Sequence, residues 1–253
     1  MLVKSQVKYI QSLGHKKFRE SEAAFVAEGP KIVGELIHSP AIRHIHLYAL
    51  QEWIDEHLSS IRIPVALNVT VIKPSELERI SFLTTPNLVL GIFRKPVFPD
   101  REIDTTVSLA LDDIQDPGNL GTIVRIADWF GISQVVCSED TVDVFNPKVV
   151  QSTMGSIGRV QVSYTSLRKF FSGHPGITVY GTTLEGESVL TIGQSRKGII
   201  LIGNESKGIR KDLYPYIHHL VSIPRRGEAE SLNAAVAAGI VVSHLVLPAS
   251  RGS

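Results

Sequence analysis

Residues able to do chemistry concentrate in three short segments of the 253-residue chain. In LDDIQDPGNLGTIVRIADWFG (111–131), Asp116-Pro117-Gly118 has the composition of a turn, Asn119 follows it, and Arg125 lies almost two helical turns further on. Asn119 suits a helix N-cap as well as a binding site, and Arg125 suits a surface ion pair as well as an anion contact. In IILIGNESKGI (199–209), Gly203 and Gly208 bracket Glu205, a carboxylate able to take a proton or to cap the next helix. In VSIPRRGEAESLNAAVAAGIVV (221–242), a polar loop leads into Ser231-Leu232-Asn233 at the start of a helix, with Ser231 as its N-cap candidate. None of the three has the spacing of a dinucleotide fingerprint or a P-loop, so no glycine-rich phosphate cradle with its lysine is present.

Each segment follows a β-rich run, which is where open α/β sheets bind ligands. In the second half the expected strands are 107–112, 133–137, 177–183, 198–203 and 219–224, with helices at 118–130, 146–155, 166–172 and 231–247. Strands apolar on both faces and separated by helices predict a mainly parallel sheet covered on both sides. The last helix is rich in alanine and nearly apolar all round, so it must be buried in a core or a subunit interface. In the first half, strands at 23–28, 42–50, 64–72 and 87–93 alternate with helices at 30–39, 51–60 and 74–83, an α/β sandwich of its own. Residues 94–106, with two prolines and little periodicity, read as a linker.

Composition narrows the class. Apolar residues make up 43% and charged residues 20%, enough for a real core. No apolar run approaches the roughly 20 residues of a membrane span, and the N-terminus lacks a signal-peptide pattern, so a cytoplasmic location is expected. The formal charge of +1 is uneven: residues 1–99 carry 12 Lys/Arg against 9 Asp/Glu, whereas residues 100–253 carry 14 against 16. Lys4, Lys8, Lys16, Lys17 and Arg19 face only Glu20 within the first twenty residues. Such a segment can follow a phosphate backbone or be an ordinary solvated helix face. Cys137, the single cysteine, sits mid-strand and reads as a buried thiol, not a nucleophile. His218-His219 lack a third ligand at a sensible spacing, so no metal is expected.

In order and context the three segments resemble the motifs of the SpoU, TrmH-like branch of the SPOUT RNA methyltransferases. DPGNLGTIVRIADWFG looks like the first motif, with Asn119 and Arg125; LIGNESKGI like the second, with Glu205; IPRRGEAESLNAAVAAGI like the third, with Ser231 and Asn233. NPKVVQSTMGSIGRVQV (146–162) is similar to the family segment between the first two motifs, with Gln151 where arginine is expected, so no phosphate contact is assigned there. GTTLEG (181–186) resembles the loop beside the cofactor, and KKFRESEAAFVAEGPKIVGELI (16–37) looks like the start of a substrate-binding domain with the fold of ribosomal protein L30e.

The resemblance implies an N-terminal L30e-like RNA-binding domain at 1–95, a linker at 96–106, and a SPOUT catalytic domain at 107–253 with a deep trefoil knot, which general topology rules would not predict. It also implies a homodimer with the active site near the interface. The cofactor would be S-adenosylmethionine, held by Thr182, Leu184, Ile202, Gly203, Ile223 and Leu232, and the basic residues Lys4, Lys8, Lys16, Lys17 and Arg19 would contact structured RNA. The reaction expected is methylation of a ribose 2′-hydroxyl, most readily of large-subunit ribosomal RNA. Transfer RNA as substrate and a catalytically silent RNA-binding assembly factor remain the alternatives. Arg125 is expected beside the attacking hydroxyl; a guanidinium keeps its proton, so it would stabilise the emerging alkoxide and leave the proton to Glu205 or an RNA phosphate. Asn119, Ser231 and Asn233 would hold the ribose, Arg125 and cofactor in register.

Overall fold

The structure is a computed structural model that describes residues 2–58, 68–99, 103 and 106–246. The chain runs through α1 (Lys4–Ser12), α2 (Lys16–Ser21), β1 (Ala24–Glu28), α3 (Pro30–Ile37), β2 (His44–Ala49), α4 (Gln51–Trp53), which passes into a π-helical turn (Ile54–Leu58), β3 (Val69–Val71), α5 (Pro74–Glu78) and β4 (Val89–Arg94). It continues through β5 (Val107–Leu111), α6 (Pro117–Trp129), β6 (Gln134–Cys137), α7 (Pro147–Thr153), β7 (Gln161–Tyr164), α8 (Leu167–Gly173), β8 (Val179–Ser188), β9 (Gly198–Ile202), β10 (His219–Ser222) and α9 (Ala234–Leu245). By contact the chain divides into two compact units, residues 1–99 with 143–159, and residues 100–142 with 160–253.

The first unit holds a four-stranded sheet in the order β1-β4-β2-β3, with β4 antiparallel to β1 and β2, and β2 parallel to β3. Its core gathers Val7, Ile10 and Leu13 of the N-terminal segment with Val26, Leu77, Ile80, Leu90 and Ile92. The basic N-terminal stretch folds as α1 and α2; Val7 and Ile10 of α1, at i and i+3, face this core. Residues 143–159 belong here: Phe145 packs 5.1 Å from the Phe25 ring, and Lys95 Nζ lies 4.8 Å above the Phe145 ring. Residues 64–67 of the expected third strand and 59–60 of the expected helix lie outside the described residues.

The second unit is a six-stranded sheet in the order β10-β8-β9-β5-β6-β7, every neighbouring pair parallel. The expected mainly parallel sheet is therefore observed. Its central strands β5 and β9 are buried at every position. The sequence reading missed β7: QVSY is short, half polar and at the sheet edge, where none of its residues is fully buried and little apolar signal remains. β8 also runs longer than expected. It pairs with β10 at Tyr180 and Gly181, leaves the register over residues 182–186, and returns to it at Glu187 and Ser188. Gly186 permits the return, because a Cβ there would lie 2.6 Å from the Leu220 carbonyl oxygen.

Among the described residues no helix is long and apolar enough to cross a membrane, and no cluster of three or more His, Cys, Asp or Glu could hold a metal ion. Cys137 is fully buried, which pushes its thiol pKa well up. His218 Nδ1 accepts from the Val179 amide at 3.1 Å, and His219 stacks on Tyr180 at 5.1 Å.

Candidate active site

The three segments meet where β5, β9 and β10 end, because a parallel sheet sends the loops after its strands to one edge. After β5, Asp112 and Asp113 lead to α6. Asp116, not Asn119, caps that helix: its Oδ1 accepts from the Asn119 amide at 2.8 Å. Pro117 and Gly118 fill the first two helical positions, where a proline loses nothing. Asn119 is thereby inside the first turn, with its side chain free to bond elsewhere.

The loop after β9 closes on itself. The amide of Asn204 donates to the Gly208 carbonyl at 3.2 Å, and the Gly208 amide donates back to the Asn204 carbonyl at 2.9 Å. Asn204 Oδ1 accepts from the amides of Ser206 and Lys207, and its Nδ2 donates to the Asp113 carbonyl at 2.8 Å. Both glycines are required by geometry. A Cβ on Gly203 would fall 2.4 Å from the Gly208 carbonyl carbon, and Gly208 has φ +67°. The next residue but one is clamped as well: the Arg210 amide donates to Asp112 Oδ2 at 2.8 Å, and its guanidinium lies 2.7 Å from Oδ1 and 3.1 Å from Asp140. Asp112 is fully buried, and burial raises its pKa despite Arg210. Glu205 rides on this braced loop.

The third segment supplies Asn233, which caps α9. Its Oδ1 accepts from the amides of Ala235 at 3.0 Å and Val236 at 3.2 Å. With the oxygen so occupied, Asn233 Nδ2 donates to Asn119 Oδ1 at 2.7 Å. Asn119 must then turn its own Nδ2 outward, and it donates to Glu205 Oε1. The backbone of α9 thus fixes the orientation of two amides and aligns a carboxylate 28 positions before the cap. These bonds join residues 86 and 114 positions apart.

The other expected site residues sit as follows. Ser231 is exposed and precedes the cap by two positions, so the helix opens later than expected. Arg125 is exposed on α6. Six residues beyond Asn119, it lies about 9 Å along the helix and about 120° around it, so this chain does not aim it at the Asn119 side chain. Thr182 Oγ1 donates to the Leu201 carbonyl at 3.1 Å, tying the β8 excursion to β9. Leu184 is 76% and Leu232 44% exposed, Ile223 and Gly203 are half-buried, and Ile202 is buried. Within the single chain α9 buries Ala234, Ala235, Ala238, Val241, Val242 and Leu245 and leaves Val236 51% exposed; Trp129 on α6 is 84% exposed.

Lys4, Lys8, Lys16 and Lys17 are exposed. Arg19 is a correction. It is 2% exposed, its guanidinium donates twice to Asp143 Oδ2 at 2.9 and 2.6 Å, and once to the Leu13 carbonyl at 2.9 Å. It holds the 143–159 segment and cannot present itself to a surface phosphate. The sequence reading takes Asp116 as a turn former but not as the cap, and it passes over Asn204, Asp112 and Arg210. A signal existed for the first two, since Asp before Pro and Asn after Gly are strong turn formers. Nothing local marked the Asp112–Arg210 pair.

Residues 106–243 match the model of the SpoU rRNA methylase family, and residues 4–91 match an MRM3-like substrate-binding domain. The chain is 32% identical to the 23S rRNA (guanosine(2553)-2′-O)-methyltransferase RlmP of Bacillus subtilis, over 95% of each chain. A Porphyromonas gingivalis structure described as of the TrmH family superposes with a TM-score of 0.85 at 35% identity, covering 97% of this chain and 98% of that one. An AdoMet-bound rRNA methyltransferase from Sinorhizobium meliloti superposes with a TM-score of 0.84 at 30% identity, covering 96% and 95%. Ordered motifs, an all-parallel sheet that brings them together, and full-length likeness lead to one conclusion: the chain belongs to the SpoU rRNA methylase family.

Proposed function

We propose that this chain transfers the methyl group of S-adenosylmethionine to a ribose 2′-hydroxyl of ribosomal RNA. The carrying observation is the Asn233–Asn119–Glu205 chain of hydrogen bonds, assembled from three remote segments at the sheet edge. The B. subtilis relative is named for 2′-O-methylation of 23S rRNA, and the S. meliloti neighbour holds AdoMet. The donor set fits that cofactor. Exposed Leu184 and Leu232 and half-buried Ile223 offer an apolar, uncharged setting for an adenine ring, and no phosphate cradle competes. The cofactor supplies a methyl group on a positively charged sulfur, open to direct attack without a metal.

The residues divide the work. Glu205 keeps one oxygen in the bond from Asn119, leaving Oε2 to receive the hydroxyl proton. Asn119 and Asn233 hold that carboxylate still, so alignment needs no rearrangement during reaction. Arg125 brings positive charge to the emerging alkoxide and the adjacent phosphate. The protein acts as a cytoplasmic homodimer whose interface uses the exposed apolar side chains of α6 and α9. Trp129 stands one helical turn beyond Arg125, so covering Trp129 with a second copy brings Arg125 into the interface and towards the other copy's site. The knot belongs to the same reading.

The test is incubation with tritiated S-adenosylmethionine and total RNA. Label is expected in large-subunit rRNA. Arg125→Ala should lower turnover at least about 10³-fold with cofactor affinity held within a few-fold. Label in tRNA would redirect the substrate, and RNA binding with no label would leave a binding factor. Loss of cofactor affinity as complete as the loss of turnover would overturn the role given to Arg125.

A further inference from the structure

The first unit contains a cavity of about 670 Å³ that the methyl-transfer chemistry does not use. One face of α3 lines it with Pro30, Lys31, Gly34, Glu35 and His38, the spacing of a single helical stripe. Arg159 stands on its other side, and His57, stacked on Trp53 at 5.5 Å, completes the wall. The volume is that of a small-molecule site. Resting on the ribosomal RNA reading above, we propose that this cavity seats one unstacked nucleotide of the RNA, its base against α3 at Gly34 and its phosphate towards Lys31.

Gly34 is the first argument. Glycine is a poor helix former, yet Gly34 is the fifth of the eight residues of amphipathic α3. A Cβ there would meet nothing within 4 Å, so no neighbouring protein atom calls for the missing methyl group. What it leaves open is the cavity, and a flat ring can reach the helix backbone there. The second argument is the turn that delivers Arg159. Gly155 has φ +92°, and a Cβ on it would lie 2.5 Å from Glu35 Oε2; one on Gly158 would lie 2.8 Å from Ser39 Oγ. The turn is fitted against α3, Ser39 Oγ donates to the Gly158 carbonyl at 3.1 Å, and Arg159 pairs with Glu35 at 2.9 Å. This is the STMGSIGR stretch, which the methyl-transfer site left without a role.

The third argument is charge and hydrogen bonding. Arg159 and Glu35 neutralise one another, so exposed Lys31 leaves the wall with one net positive charge, which suits an anion. His38 Nδ1 bonds the Gly34 carbonyl at 2.7 Å, which places its proton on Nδ1 and turns Nε2 into an acceptor for a base N–H. A recess left open at Gly34, an acceptor and an exposed cation match the way proteins hold splayed single-stranded nucleotides.

The test uses the full chain and a fluorescein-labelled single-stranded RNA oligonucleotide of mixed sequence, read by anisotropy over a salt series. Gly34→Leu fills the cavity and should weaken RNA binding about ten-fold while cofactor affinity and Tm hold or Tm rises. Lys31→Glu, on an exposed side chain, should weaken binding by a similar factor and lower the salt slope by about 0.7. Wild-type affinity in both variants overturns the cavity assignment and leaves the methyltransferase reading intact. If Gly34→Leu lowers Tm or cofactor affinity in step with RNA binding, Lys31→Glu decides: weaker binding supports the site, unchanged binding overturns it. A wild-type chain that binds no RNA overturns both readings.

Discussion

In the six-stranded sheet every pair of neighbours is parallel, so the loops after β5, β9 and β10 share one edge. In the four-stranded sheet β4 opposes β1 and β2, and the strand ends are divided between two edges. The parallel arrangement lets residues 86 and 114 positions apart become hydrogen-bonded partners. The mixed sheet gathers nothing at an edge; its cavity forms along α3 and the three residues after it, with His57 and Arg159 brought to it. Their polar pairs differ in kind as well. The Asn233–Asn119–Glu205 bonds run from exposed Asn233 through buried Asn119 to half-buried Glu205, whose second oxygen they leave open, whereas Arg19 and Asp143, 2% and 10% exposed, satisfy one another inside the unit. Whether a set of polar bonds ends at water or closes on itself thus separates a candidate site from a brace.

That contrast can be broken experimentally. Asp143→Ala strands a buried guanidinium and should cost about 3–5 kcal/mol in urea unfolding; an unchanged midpoint would erase the distinction. Asn119→Ala should lower kcat about 10²-fold in the tritium assay while changing stability by less than about 1 kcal/mol. Asn233 combines both roles and can be split. Asn233→Ala should lower stability by about 1 kcal/mol and also slow turnover, whereas Asn233→Ser should keep the cap yet remain as slow as Asn119→Ala. A fast serine variant would remove Asn233 from the alignment of Glu205.

Two buried carboxylates offer a pH test, one in each unit. Burial raises the pKa of Glu28, against bonds from Ser81 and the Phe82 amide, and burial raises that of Asp112, against Arg210. A carboxyl whose folded pKa exceeds its unfolded value holds more protons in the folded state. Its contribution is present at low pH and declines as pH rises from the ordinary carboxylate range through the raised value. Glu28→Gln should flatten part of that decline in Tm measured across mildly acidic pH; an unaltered slope would mean Glu28 does not titrate there. The smallest effect is expected from Gly34→Ala, a gain of about 0.5–1 kcal/mol in stability from helix propensity alone. A loss would show that Gly34 is held by packing.

Much of the second unit was legible from local pattern. Strands such as GIILIG are apolar on both faces, and turn residues mark their ends, so the parallel sheet and the three loops could be read directly. Asn119, Glu205 and Asn233 were also legible as candidates, though not as a bonded chain, since which amide faces which carboxylate depends on the cap of α9. Legibility failed where pairing is remote. Nothing near Arg19 distinguishes it from Lys16 and Lys17; its partner lies 124 residues away. The cavity was hidden for the same reason, because Arg159 meets Glu35 across another 124 residues. Asn119 was open to reading as a cap because two cap-forming residues, Asp116 and Asn119, lie one turn apart, and only the backbone geometry selects the first.

The bond from Asn233 to Asn119 has a consequence for synthesis. A ribosome extrudes Asn119 and Glu205 well before Asn233, so a nascent chain with both β5 and β9 in place still has an Asn119 amide able to rotate and a Glu205 with no fixed donor. The orientation of this carboxylate is therefore set last, when the closing helix docks and Asn233 takes hold of Asn119.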